Sequence, residues 1–447
     1  MRAQWARNNG PLLALVAEGF FSRLSFGVIS YALPLYGHHL GLSLAEIGLL
    51  ASLSTAVALV TKPAMGWVAD RAGLKRGLAA AVVLRSVVAL LLAVATAPWQ
   101  LWAIRAVYGV SQALRDPSAD ALIAVHGDKQ AMASAFAWSA TAKKVAGSLG
   151  AAVAGVVLTL TARDFSVAFV LAFVLSFLPL LVVLRYVGER GVGDCPAPNR
   201  RPVASVRHSL RDSVQAISVA GVRPALPAYV GLGLLISGTA QMLRGLLPIL
   251  ATDYAGMSDA QAGMAYLASS LVVLGSGPLF GWLADHVSQH LVLTVRSVAN
   301  TVSSAIFLAA LNPPGFVAGL VVDDVGKSAY RPAWGALMAR VGSLNPRRRA
   351  QTMSWLGWGE DLGEVAGPIL AGFLWSTWGL ATVLGLRILL ALGTEVYAML
   401  LMRSRGLVAP RVLPGHGPKT DAGPDGAGRS ILDVVQRQSS QASRARG

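Results

Sequence analysis

The sequence holds a single cysteine, Cys195, in 447 residues. An internal disulfide and a thiolate zinc site are therefore excluded. Charge is scarce too. Only 13% of residues are Asp, Glu, Lys or Arg, about half the quarter usual in soluble domains. Acidic residues are the rarer sign, 22 against 38 basic, leaving a formal net charge of +16. The seven histidines are scattered. No H-E-x-x-H, G-x-S-x-G or phosphate loop G-x-x-x-x-G-K-[ST] occurs, which argues against a membrane enzyme. His38 and His39 fall in an external loop with no third ligand in view, so no metal or cofactor is expected.

Apolar residues, by contrast, make up 54% of the chain, and the mean hydropathy is +0.56. Lipid must be the solvent for much of it. A spanning helix takes about 20 mostly apolar residues. The pattern yields twelve, at about 11–36, 44–69, 77–97, 99–124, 132–160 and 165–187, then about 225–252, 260–284, 290–311, 314–340, 350–377 and 380–403. The sequence MRAQWARNNGPLLALVAEGFF opens the first span. The run continues past Glu18 and Arg23 to Pro34 without a small-residue cleavage site, so it is not a signal peptide. The basic excess lies largely in short loops, as orientation signals do, and nucleic acid is not expected as a partner.

Arg71, Lys75 and Arg76 follow the second span, and Arg347, Arg348 and Arg349 the tenth. The central linker carries Arg190, Arg200, Arg201, Arg207, Arg211 and Arg223. Alternating spans put all of these on one side with both termini. The opposite loops hold mainly Arg163 beside Asp164. The positive-inside rule makes that basic side cytoplasmic and places the chain in the inner (plasma) membrane. The expected organisation is a six-helix bundle over 1–187, a basic linker over 188–224, a second bundle over 225–403 and a disordered tail over 404–447. Val203 to Val219 reads as a plain tether first, and as a basic amphipathic stretch on anionic lipid second.

The two bundles are repeats. LPLYGHHLGLSLAEIGLL from Leu33 matches LPILATDYAGMSDAQAGMAYL from Leu247. Pro34 aligns with Pro248, Gly41 with Gly256, Ser43 with Ser258, Gly48 with Gly263 and Pro63 with Pro278. GWVAD (Gly66 to Asp70) matches GWLAD (Gly281 to Asp285), LRSVV at Arg85 matches VRSVA at Arg296, and DPSADALIA at Asp116 matches RPAWGALMA at Arg331. The offset is near 215 residues and the repeat is parallel, one of the known transporter architectures.

The loop after the second span, Gly66-Trp-Val-Ala-Asp70-Arg71-Ala-Gly73-Leu-Lys75-Arg76, meets every fixed position of G-x-x-x-D-[RK]-x-G-x-[RK]-[RK]. On that motif the chain resembles the major facilitator superfamily. The resemblance covers about 11–403 and implies an all-α membrane fold of twelve transmembrane helices in two parallel six-helix repeats. It also implies a conformational latch of Gly66, Asp70, Arg71, Gly73, Lys75 and Arg76, with Asp285 in the second copy. Arg105-Ala-Val-Tyr108-Gly109 resembles the family's R-x-x-x-G signature in helix 4, where the arginine is linked to proton coupling or substrate charge. The antiporter motif G-x-x-x-G-P is absent from helix 5. It stands in helix 11 instead, as Gly363 to Pro368, so the direction of transport stays open.

Charges inside the spans supply the candidate chemistry, because each costs at least a few kcal/mol in hydrocarbon unless paired or wet. They are Glu18, Arg23, Arg105, Arg115, Asp116, Lys143, Lys144, Arg244, Asp323, Asp324, Glu360 and Asp361. Lys143-Lys144 aligns with Glu360-Asp361, so the halves have opposite polarity at equal depth. In the family, helices 1, 4, 7 and 10 line the cavity, and 2, 5, 8 and 11 form the interface between halves. The helix 5 lysines are therefore expected to meet helix 10 or helix 8, and the helix 11 acids Lys62 or Arg115. Asp323, Asp324 or Glu360 would carry a proton; static ion pairs are the alternative. Arg23, Arg105 and Arg244 suggest a polar or anionic substrate, or else each neutralises Glu18 or a helix 10 acid. Trp334, Trp355 and Trp358 could stack a ring, although packing is the commoner role. The expectation is a monomeric secondary transporter in a lipid bilayer, moving a small polar or charged organic solute (a small-molecule substrate) by alternating access, coupled to protons and with efflux slightly favoured. Symport of an organic anion is the alternative, and a lipid-handling enzyme a distant one.

Overall fold

The computed structural model describes residues 2–126, 132–186, 226–286, 289–343 and 349–404. Among them are twelve long helices: α1 (Arg2–His39), α2 (Leu44–Ala72), α3 (Leu74–Val94), α4 (Pro98–His126), α5 (Met132–Leu160), α6 (Phe165–Tyr186), α7 (Leu226–Gln241), α8 (Asp259–His286), α9 (Gln289–Ala309), α10 (Pro313–Ser343), α11 (Arg349–Trp378) and α12 (Leu380–Ser404). Six stretches are long and apolar enough to cross a membrane: Leu13–His39, Leu44–Lys62, Leu74–Val94, Thr141–Leu160, Phe165–Tyr186 and Leu380–Leu401. The other helices carry more charge or less apolar length. Met1–Leu401 is one compact unit, and Met402–Gly447 a second, of which only the end of α12 is described. The linker expected over 188–224, with its Val203 to Val219 stretch, lies outside the described residues. So does the tail beyond Ser404.

The repeat is built into the turns. Gly41 and Gly256 both take positive φ, 86° and 69°, a conformation that a Cβ would strain. Two residues on, Ser43 and Ser258 cap α2 and α8 in the same way. Glu46 N–H donates to Ser43 Oγ at 3.3 Å, and Ser43 N–H to Glu46 Oε2 at 2.8 Å. Gln261 N–H donates to Ser258 Oγ at 3.2 Å, and Ser258 N–H to Gln261 Oε1 at 2.9 Å. Each pair is a reciprocal capping box that satisfies two orphan donors at a helix start.

The seventh span departs from the continuous helix expected over 225–252. It stops at Gln241, turns through Gly245 (φ 81°), and resumes as Leu247–Ile249 and a π-helical turn, Leu250–Tyr254. A Cβ on Gly245 would stand 2.7 Å from Ala51 Cβ on α2. The break thus lets the chain approach the first half closely.

Helix α1 packs on α5 and α6, α3 on α4 and α6, and α2 on α4; α7 packs on α11, and α10 on α8 and α9. The halves meet chiefly along α2–α11 and α5–α8. Glycine makes both crossings. A Cβ on Gly48 would overlap the Pro368 carbonyl, and one on Gly372 would lie 3.1 Å from Gly48 Cα. A Cβ on Gly155 would overlap the Asp259 carbonyl, and one on Gly263 would lie 2.9 Å from Ala152 Cα. One apolar cluster spans both halves at this level, including Val28, Leu35, Leu50, Leu158, Leu247, Ala262 and Trp375.

This sealed end carries the short α1–α2, α3–α4 and α5–α6 connections. The opposite end carries the α2–α3 loop. A Cβ on Gly66, Gly147, Gly275 or Gly357 would meet nothing within 4 Å. Gly48→Val should therefore cost the sealed state about 1–3 kcal/mol through overpacking. In a Cys195→Ser background, alkylation of a cysteine placed at Leu35, buried in the cluster between the halves, should rise. Unchanged labelling would show that the α2–α11 crossing does not seal this end.

Candidate functional site

Between the halves lies a set of charges at mid-helix depth, half-exposed apart from the buried Asp324. Lys62 on α2 pairs with Asp361 on α11 at 3.1 Å, with side chains 39% and 29% exposed. Lys144 on α5 pairs with Asp324 on α10 at 3.3 Å, and Ser269 on α8 donates to the same Asp324 oxygen at 2.8 Å. Arg244 reaches Glu364 at 3.0 Å within the second half. Charges at this depth persist because they pair and line water. Lys143 lays its stem against Gly19. Glu360 and Asp116 are half-buried, the latter 3.4 Å from Arg115.

Two further cross-half pairs stand at the sealed end. His38, in the last turn of α1 rather than in a loop, meets Asp253 of the π turn at 3.2 Å. Arg163, in the loop after α5, pairs with Asp259 at 2.9 Å, and Tyr31 donates to the Asp259 carbonyl at 2.9 Å. The hydrogen bond to Asp259 raises the Arg163 pKa further above its ordinary value.

Each half also contains a buried ion-pair set. In the first, Arg115 donates to both carboxylate oxygens of Glu18 at 2.8–3.1 Å, and the two side chains are 2% and 1% exposed. The helix 11 acids were expected to meet Lys62 or Arg115; Asp361 meets Lys62, and Arg115 does not reach them. It is instead the counter-ion of Glu18, because α1 and α4 face each other inside one half. In the second, Asp323 meets Lys327 at 2.7 Å, Arg296 at 3.2 Å and Arg387 at 2.5 Å. Arg387 and Arg296 were not among the expected site residues.

The remaining candidates divide by environment. Arg105 donates to the carbonyls of Leu50 and Ala51 at 3.3 and 3.2 Å. A Cβ on Gly109 would lie 2.6 Å from Ser54 O. In this state both ends of the R-x-x-x-G stretch serve the α2–α4 contact. Arg23 has no hydrogen-bonding partner among the described residues; its guanidinium sits 5.1 Å from the Phe26 ring centre. Phe26 in turn stacks on Tyr108 at 5.3 Å. Trp334 is 2% exposed and would contact any side chain at Gly233, so it is packing. Trp358 is 47% exposed, and Trp355 is half-buried 6.1 Å from it.

In the motif loop, Gly73 links α2 to α3, Lys75 donates to the Leu184 carbonyl at 3.4 Å, and Arg71 and Arg76 are both engaged. The side chains of Asp70 and Asp285 lie outside the described residues. Among the described residues no group of His, Cys, Asp and Glu could hold a metal. An apolar groove of about 490 Å³ between α9 and α10, lined by Leu291, Val295, Val298 and Val302, carries almost no polar surface and stands apart from this chemistry.

A family model of the Major Facilitator Superfamily matches residues 17–322 and again 229–437. This chain belongs to that superfamily. It is a secondary transporter of small molecules, a multi-pass inner-membrane protein and not an enzyme. Among its relatives is the multidrug resistance protein MdtG of Erwinia billingiae, 26% identical over 86% of this chain and 92% of that one. MdtG of Enterobacter lignolyticus is 26% identical over 93% and 96%. Superfamily members of known structure share the fold. A bacterial homologue of the human lysosomal transporter Spinster, in an inward-facing and occupied conformation, superposes with a TM-score of 0.69 at 15% identity, over 88% of this chain and 96% of that one. The nucleoside transporter NupG gives 0.68 at 15%, over 88% and 99%.

Breaking a buried ion pair on one side costs about 3–5 kcal/mol, whereas replacing both partners by a packed pair is near neutral. The repeat supplies such a pair, since Glu18 and Arg115 align with Leu232 and Tyr330. Glu18→Leu alone should lower Tm strongly, and Glu18→Leu with Arg115→Tyr should restore it. A double variant as unstable as the single one would assign the pair a role beyond mutual neutralisation.

Proposed function

We propose that this transporter exports small amphipathic organic solutes in exchange for protons, by rocking 1–187 against 225–403. The observation that carries the reading is the pair of ion bridges that join the two halves at mid-depth, the half-exposed Lys62–Asp361 and Lys144–Asp324, whose lysine is exposed and whose acid is buried. A proton on either acid removes the charge that holds its lysine, and so loosens one half from the other. Asp323 suits this work poorly, because its three cations belong to its own half. Asp324 and Asp361 are therefore the proton carriers in this reading, with Asp324 the one already singled out by sequence.

The basic loops support a cytoplasmic placement of the end that carries the α2–α3 loop and of both termini. In this reading the half-exposed charges reach water from the cytoplasmic side, and the Asp70 motif acts as a latch when that end closes. The multidrug resistance named for the MdtG relatives supports efflux and a broad substrate range. The protomer works alone, since the cavity charges come from both halves of one chain. A second reading, symport of an organic anion, is favoured by Arg23, the cation over Phe26 that makes no hydrogen bond among the described residues.

Proteoliposomes with an imposed pH gradient and an amphipathic dye test the proposal. Asp361→Asn and Asp324→Asn should each cut gradient-driven flux about tenfold or more, the scale of a lost coupling group, while dye exchange without a gradient persists. Asp323→Asn should chiefly lower stability. Gradient-driven flux that survives both substitutions would end the proton-exchange reading. Uptake of anionic solutes alone, lost in Arg23→Met, would move the assignment to symport.

A further inference from the structure

The buried cluster around Asp323 carries more positive charge than it can neutralise. Arg296, Arg387 and Asp323 are all at most 3% exposed, so two guanidiniums share one carboxylate out of water. Asp324 is buried beside them, and with the part-exposed Lys327 and Lys144 four cations face two acids, a surplus of two carried on the cavity-side lysines. Asp324 is engaged by the lysines and Ser269, so Asp323 alone meets both guanidiniums, and a buried guanidinium without a full counter-charge in contact is unfavourable.

The donors are also under-used. Arg296 Nε and Nη2 find no acceptor, and both side-chain atoms of Asn300, one turn further along α9, have no partner. Asn300 is 1% exposed. Residues four apart on a helix share a face. The same layer continues to Ser303 and Ser304. Their hydroxyls donate to the Asn300 carbonyl at 3.0 and 2.8 Å and accept from Arg387 Nη1 at 3.3 and 3.2 Å.

The helix packing does not require this polarity. Under the repeat, Asn300, Ser303, Ser304, Asp323 and Arg387 correspond to Ala89, Leu92, Ala93, Tyr108 and Ala172. The first half assembles α3, α4 and α6 from those apolar and aromatic residues, with Arg85 lying 5.2 Å from the Tyr108 ring centre. The second half has replaced five positions of an adequate core with donors and charge.

We infer that α9, α10 and α12 enclose a binding site for a small monovalent inorganic anion, a halide, held by Arg296 and the Asn300 amide. A surplus of cations together with unfilled N–H donors selects an anion over a metal ion. The seclusion of the site excludes an organic acid. Lys327 is 30% exposed and reaches both Asp323 and Asp324, which places the entrance on the cavity side.

The experiment is thermal unfolding of the full chain in detergent, at fixed ionic strength, with chloride or bromide replacing gluconate. Tm should rise saturably with halide, by about 2–4 °C at a large excess over the half-saturating concentration. Asn300→Leu should raise that concentration about tenfold. Asn300→Asp places a carboxylate where the anion would sit, and should keep a high Tm that no longer responds to halide. Equal Tm in gluconate and halide would mean that water alone fills the site, and the inference falls. A full halide response in Asn300→Asp would equally overturn it.

Discussion

The architecture depends on backbone lying directly on backbone at two places. Where α2 crosses α11, Gly48 and Gly372 leave no room for a side chain, and where α5 crosses α8, Gly155 and Gly263 do the same. In a bilayer, helices gain little from hiding apolar side chains from lipid, so close approach supplies much of the association. The two crossings are mates under the internal repeat and close one end of the molecule. Everything else of functional interest, from the α2–α3 motif loop to the mid-depth charges, lies on the far side of that seal.

Below the seal the halves share a plan and differ in chemistry. Both use an arginine on the third helix of the half, Arg85 or Arg296, directed at the fourth. In the first half it meets the face of Tyr108, in the second the carboxylate of Asp323. The buried pair Glu18–Arg115 has Leu232 and Tyr330 as its counterparts. A duplicated scaffold has thus been charged in different places, one half around α1 and α4, the other around α9, α10 and α12.

Much of this was legible in the sequence, because a repeat compares the chain with itself. The alignments of Gly41 with Gly256, Ser43 with Ser258 and Gly48 with Gly263 correspond to real turns, caps and crossings. What stayed hidden were partners far apart in the chain. Glu18 has Arg23 nearby, yet its partner is Arg115; Arg163 stands beside Asp164, yet it pairs with Asp259. Arg387 sits alone in an apolar run, 64 residues from Asp323. One signal could have exposed it: its repeat mate is Ala172, and an arginine replacing a buried alanine needs an acid nearby. The break in the seventh span was illegible for another reason, since it answers a close approach of α2 at Ala51.

The half-wet bridges between the halves have an energetic consequence. Lys62–Asp361 and His38–Asp253 are each roughly one-third to one-half exposed, and ion pairs in contact with water contribute about 0–1 kcal/mol apiece. Such bridges give direction to the contact without fixing it. A solute that prefers one conformation tenfold shifts the equilibrium by about 1.4 kcal/mol, comparable to the loss of one or two of them. The populations of the two states are thus open to control by modest differences in binding.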